Sequence, residues 1–142
     1  MIWPKDFADR LTAWTELRAQ AHDMELQPAL EKINAWWFQT PWRPYHLHWD
    51  DVDTWPDPWQ LLDDNIYCGL ARALGIMYTI TMLDRPDLQD AVMVEFGGDN
   101  LVQIGQSKYI LNWDPDTVVN TNPEITKFTR CITQQQIKQQ LR

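Results

Sequence analysis

The chain is short of several things, and each shortage narrows what it can be. Its 142 residues hold two cysteines, Cys68 and Cys131, far apart in the chain. That is neither a disulfide framework nor a zinc ligand set, so thiols of the reduced, intracellular kind are the expectation. Basic residues number 12 against 20 acidic ones, for a formal charge of −8 and a pI near 4.6. A field of that sign repels phosphate backbones and anionic lipid, so direct contact with nucleic acid or membrane is not expected. No apolar run approaches the length of a membrane span, and residues 1–6 hold no apolar leader stretch. The Gly97-Gly98 pair and Gly105 are followed by neither a helix start nor Lys-Ser/Thr, which makes them hairpin glycines and not a phosphate loop. Histidine is confined to His22, His46 and His48.

Tryptophan is what the chain has in excess. There are nine, six of them between Trp36 and Trp59. One domain of this length builds one core, and aromatic rings dominate cores and interfaces alike. Six in so short a stretch exceed what a small core normally takes, so Trp36, Trp42, Tyr45, Trp49, Trp55 and Trp59 are expected to meet a partner. On a helix, the adjacent Trp36 and Trp37 point about 100° apart, so at most one is expected to face fully inward.

Hydrophobic spacing divides the single domain, 1–142, into regions. Phe7, Leu11, Trp14, Leu17 and Ala21 repeat at helical spacing over 6–22, with Asp9, Arg10, Glu16 and Arg18 elsewhere on the wheel. A second helix starting near Pro28 turns Leu30, Ile33 and Trp37 inward and ends before Pro41, giving a helical hairpin over 1–40. Residues 41–58 carry four prolines and no period, yet are rich in aromatics, and read as an ordered, irregular loop. Asp57-Pro58 opens a short helix over 59–63. A helix through Cys68 follows, with Leu62, Ile66, Leu70, Leu74 and Met77 in register and an end between Gly75 and Leu83. The period then changes towards two over 91–96, 101–104 and 109–113, with a further strand at 127–132. A polar helix over 133–142 closes the chain. The predicted fold class is α+β, with the cysteine-bearing helix packed on an antiparallel sheet of three to four strands across 59–132.

Cys68 near a helix start sits where the dipole favours a thiolate, a placement that equally suits a buried thiol. His46 and His48, two apart and followed by Asp50, Asp51 and Asp53, share one side of an extended segment but lack a third spaced ligand, so no metal is predicted. Either histidine is a candidate base for Cys68, with Asp114 or Asp50 orienting it, since triads are defined by geometry and not by chain order.

Two resemblances add to this. The run Cys68-Gly-Leu-Ala-Arg-Ala-Leu-Gly-Ile76 resembles the nucleophile helix of the transglutaminase-like and papain-like cysteine enzymes. Val92-Met-Val-Glu-Phe96 and Lys108-Tyr-Ile-Leu-Asn-Trp-Asp-Pro115 resemble the strands carrying that family's histidine and then its aspartate, which puts Asp114 in the third position. The likeness covers roughly 57–115 and implies a cysteine hydrolase or acyltransferase. The family's histidine, however, falls at or beside Ala91, and without that base the resemblance implies a degenerate, inactive copy. Separately, Ile33-Asn-Ala-Trp-Trp-Phe38, Leu47-His-Trp-Asp-Asp51 and the run from Trp55 to Cys68 are similar to small virion-associated proteins of contractile-tailed bacteriophages. That likeness implies a non-enzymatic structural or assembly protein of the tail, baseplate or neck, made in the host cytoplasm and carried into the virion. Its partners would be other virion proteins or further copies of itself, with no cofactor. The alternatives are a cysteine enzyme using Cys68 with His46 or His48 and Asp114, and a host-glycan or receptor-binding module built on the same aromatics.

Overall fold

In a computed structural model, which describes residues 3–44, 46–122 and 130–139, helix α4 (Gly69–Leu83) is the element on which the others pack. Of its 15 residues 12 are buried, so it is apolar nearly all round, as a helix enclosed on every side must be. Helices α1 (Phe7–His22) and α2 (Leu26–Trp37) pack on each other and against one side of it, with α3 (Pro58–Asp64) beside them. The other side is covered by an antiparallel sheet of β1 (Val92–Phe96), β2 (Asp99–Ile104), β3 (Tyr109–Asp114), β4 (Thr117–Val119) and β5 (Arg130–Thr133), in the order β4-β3-β2-β1-β5. A closing helix, α5 (Gln134–Lys138), starts in a capping box formed by Thr133 and Gln136. The fold is α+β, and no described helix is long and apolar enough to cross a membrane.

Several expectations need correction. The sheet has five strands, because the three residues of β4 are too few to show a period. Of the strand expected at 127–132, β5 supplies the later part, and 127–129 lie outside the described residues. The apolar spacing from Leu62 through Ile66 to Leu70 crosses two helices, because Asn65 turns left-handed at φ 55° and ends α3. Helix α2 begins two residues before Pro28, which falls within the first turn, where its missing N–H costs no helical bond. Arg10, expected on the polar side of α1, is buried; it donates to the carbonyls of Leu62 at 2.8 Å and Lys5 at 2.7 Å, closing the last turn of α3.

Trp36 and Trp37 are both buried, at 3% and 1% exposure. Both can be, because Trp3, ahead of α1, lays its ring 4.7 Å from that of Trp36 and anchors its indole N–H on Asn65 Oδ1 at 2.8 Å. Deeper in, the hydroxyl of Thr79 accepts the indole N–H of Trp14 at 2.9 Å and of Trp37 at 3.0 Å, and donates to the Gly75 carbonyl at 2.8 Å. That exhausts what a hydroxyl can offer. Gly75 makes room for this cluster, since a Cβ there would lie 2.5 Å from the Trp37 ring.

Candidate functional site

The first turn of α4, the ends of β2 and β3 and the aromatic loop enclose an open cleft of about 640 Å³. Cys68 lies in its wall as the N-cap of α4, where Ser, Thr, Asp or Asn is the usual choice. Its Sγ accepts the backbone N–H of Ala71 and that of Leu47, each at 3.4 Å, and the residue is 4% exposed. The second of these bonds ties the loop to the helix start. A short parallel bridge between Trp42 and Tyr67 does the same one residue earlier, with the Arg43 N–H on the Tyr67 carbonyl at 2.7 Å.

Two asparagines, Asn100 and Asn112, line the cleft, and a third, Asn34, braces them from α2. Asn112 takes φ 66°, a left-handed conformation that asparagine tolerates better than most residues, where the β3–β4 register shifts. Its carboxamide nitrogen donates to the carbonyls of Gly69 at 2.9 Å and Asn100 at 2.7 Å, joining the helix start to β2. Asn34, reaching from α2 and 1% exposed, accepts the Asn112 N–H at 2.8 Å and donates to the Asp114 carbonyl at 2.7 Å. Asn100 Oδ1 accepts the indole N–H of Trp49 at 2.7 Å, and a Cβ on Gly69 would sit 3.3 Å from Asn100 Nδ2 and 3.8 Å from the Trp42 ring. One acceptor in this network, Asn112 Oδ1, is buried with no donor. Across the cleft, Arg130 pairs with Asp50 of the loop at 2.8 Å and lies 3.9 Å from Glu95. Arg72 stands in the first turn of α4, where burial lowers its pKa and the neighbouring Cys68 opposes that shift.

The cleft brings together Cys68 and His48 but takes in neither His46 nor Asp114. The Asp114 carboxylate instead accepts the Asp116 N–H at 2.8 Å within its own turn, and so does not serve as an orienting group at the thiol. Ala91 is remote as well. Glu95 pairs with Asn100 whereas Val92 pairs with Gln103, so Ala91 lies about 13 Å along β1 from the cleft end of the sheet. The strand side chains at the helix start are the carboxamides of Asn100 and Asn112.

Of the aromatics expected at an interface, Trp42 is 58% exposed at the cleft rim and Trp49 is half-buried in its wall. Trp59 is exposed on α3 outside the cleft. Trp55 and Trp36 are corrections. Trp55, at 4% exposure, staples the loop by packing 5.9 Å from Trp49 and donating to the His48 carbonyl at 2.8 Å, and Trp36 belongs to the core, so neither presents a surface. Tyr45 lies outside the described residues. Trp113, which the sequence did not single out, joins Trp42 at the rim with 46% exposure. Asn34, Asn100, Asn112 and Arg72 were missed too. Two of them carry a legible signal: Asn34 interrupts the apolar stripe of α2, and Arg72 is the one charge in α4. Both thiols are free, and Cys131 lies exposed on β5 with its pKa raised by partial burial.

No protein-family model, curated protein or solved structure matches this chain.

Proposed function

We propose that the chain is a non-enzymatic docking protein, a structural or assembly subunit of a tailed phage particle, whose aromatic cleft receives a segment of another virion protein. The observation that carries this reading is the cleft rim. Trp42 and Trp113, both lining an open cleft, stand 58% and 46% exposed, although the same chain buries Trp14, Trp36, Trp37 and Trp55 almost completely. Large exposed rings around a concavity with polar groups are the composition of a protein-binding site. The resemblance to proteins of contractile-tailed phages makes virion subunits the expected partners. The inactive chemistry is supported by a thiol engaged by two backbone N–H groups, with no described histidine hydrogen-bonded to it.

The test is incorporation into particles. Trp42→Ala and Trp113→Ala should each lower it about tenfold or more, an effect the size of a binding hot spot, with unchanged circular dichroism. Full incorporation of both variants would overturn the reading.

A second reading, a cysteine hydrolase or acyltransferase, is favoured by Cys68 and His48 lining one cleft. In a Cys131→Ser background it requires rapid alkylation of Cys68 by iodoacetamide already near about pH 6, slowed by His48→Ala. Labelling only upon unfolding would dismiss it.

A further inference from the structure

We propose that the cleft recognises an acidic side chain carried on an extended segment of the partner, seated on the guanidinium of Arg72. This rests on the docking role above and adds the chemistry of what docks. The Arg72 Cζ lies 4.5 Å from the ring centroid of Phe38 and 5.3 Å from that of Trp42, so the group is held against two aromatic rings. Its Nε makes one long bond, 3.4 Å to Thr40 Oγ1. Among the described residues neither terminal nitrogen has an acceptor and no carboxylate lies within ion-pair distance. In a chain with 20 acidic residues against 12 basic ones, a half-buried arginine left without a carboxylate is a vacancy for one supplied from outside. The other cation of the cleft, Arg130, is already paired with Asp50.

A guanidinium held by rings keeps its in-plane N–H edge available, and that edge fits a carboxylate through two parallel bonds. Asp50, Glu95 and Asp99 around the cleft weigh against a doubly charged phosphate and leave a single carboxylate as the better match. The rim tryptophans give the flanking residues of a polypeptide something to lie on.

The test uses the full chain, isotope-labelled, and follows the Arg72 Nε–H and Trp42 indole resonances. The probes are the blocked peptide Ala-Ala-Glu-Ala-Ala, its glutamine counterpart, and an alanine pentapeptide ending in a free carboxylate. The glutamate peptide should saturate both resonances and bind about tenfold more tightly than the glutamine one. Arg72→Met, which keeps the stem between the rings, should abolish that preference, and Arg72→Lys should retain part of it. Trp42→Ala should weaken both blocked peptides alike. Equal binding of the two blocked peptides, or a preference that survives Arg72→Met, would overturn the carboxylate assignment and leave the docking role standing. Stronger binding of the free-ended peptide would assign the site to chain termini and overturn the side-chain assignment. No saturable shift with any probe would overturn the inference, while the incorporation assay judges docking separately.

Discussion

Trp14 and Trp37 give their indole N–H groups to the single hydroxyl of Thr79, whereas Trp42 and Trp113 find no acceptor among the described residues and stand largely in the open. The two pairs show what decides the use of a tryptophan here. In the core the ring is enclosed by α1, α2 and α4 and its polar atom is satisfied, so its worth is stability. At the rim the ring keeps 46% to 58% of its surface open, and its N–H has no acceptor among the described residues. Trp49 stands between the two: its N–H is spent on Asn100, and it fixes the loop that carries Trp42. Core and cleft rim are thus built from one residue type, and burial separates them, with Trp14, Trp36 and Trp37 at 3% exposure or less against 58% and 46% at the rim.

That contrast breaks most sharply at Trp37. Trp37→Ala should lose about 4 kcal/mol of unfolding free energy in urea titrations, the usual cost of deleting a large buried aromatic. Trp42→Ala and Trp113→Ala should stay within about 0.5 kcal/mol of the parent, as exposed substitutions do. Gly75→Ala should cost about 3 kcal/mol by the same measurement, because the added methyl enters the Trp37 ring and that ring is held by its bond to Thr79. Thr79→Val keeps the shape but strands two indole N–H groups, and should lower stability by about 2 kcal/mol.

Alkali should sharpen the same comparison. Burial pushes the phenols of Tyr67 and Tyr78 above their ordinary value. A raised folded-state value gives stability that is intact below the unfolded value and lost as pH rises past it. From about pH 10 upward each phenol should therefore withdraw about 1.4 kcal/mol per pH unit, seen as unfolding that coincides with tyrosinate absorbance. The smallest effect belongs to the loop. Asp50→Asn, which removes an exposed ion pair with Arg130, should change stability by less than about 0.5 kcal/mol and lose even that in high salt.

Much of the fold was legible in the sequence. The apolar spacing of Phe7 to Ala21 gave α1, Asp57-Pro58 gave the start of α3, where the Asp57 carboxylate accepts the Gln60 N–H, and Gly97-Gly98 and Gly105 gave the hairpins. What escaped depends on contacts between distant segments. Nothing local says that Trp3 will cover Trp36, or that Arg10 will find three carbonyls, since each of those contacts exists only once the chain has closed. The site was half legible. Cys68 at a helix start and the aromatic loop could be read from the sequence, but the carboxamides of Asn100 and Asn112 could not, because a strand position acquires its neighbour from register and from a bulge. The antiparallel turn brings Asn100 to the start of α4, beside Gly69, and leaves Ala91 at the other end of β1.

The central claim is that the rim tryptophans, and not Trp59, meet a virion protein. Its most direct test places the photo-crosslinking residue benzoylphenylalanine at Trp42, at Trp113 and, as the control, at Trp59, which is 40% exposed on α3 outside the cleft. After irradiation of assembling particles, positions 42 and 113 should crosslink to one and the same virion subunit and position 59 should not. Crosslinks from position 59 alone, or none from either rim position, would contradict the account.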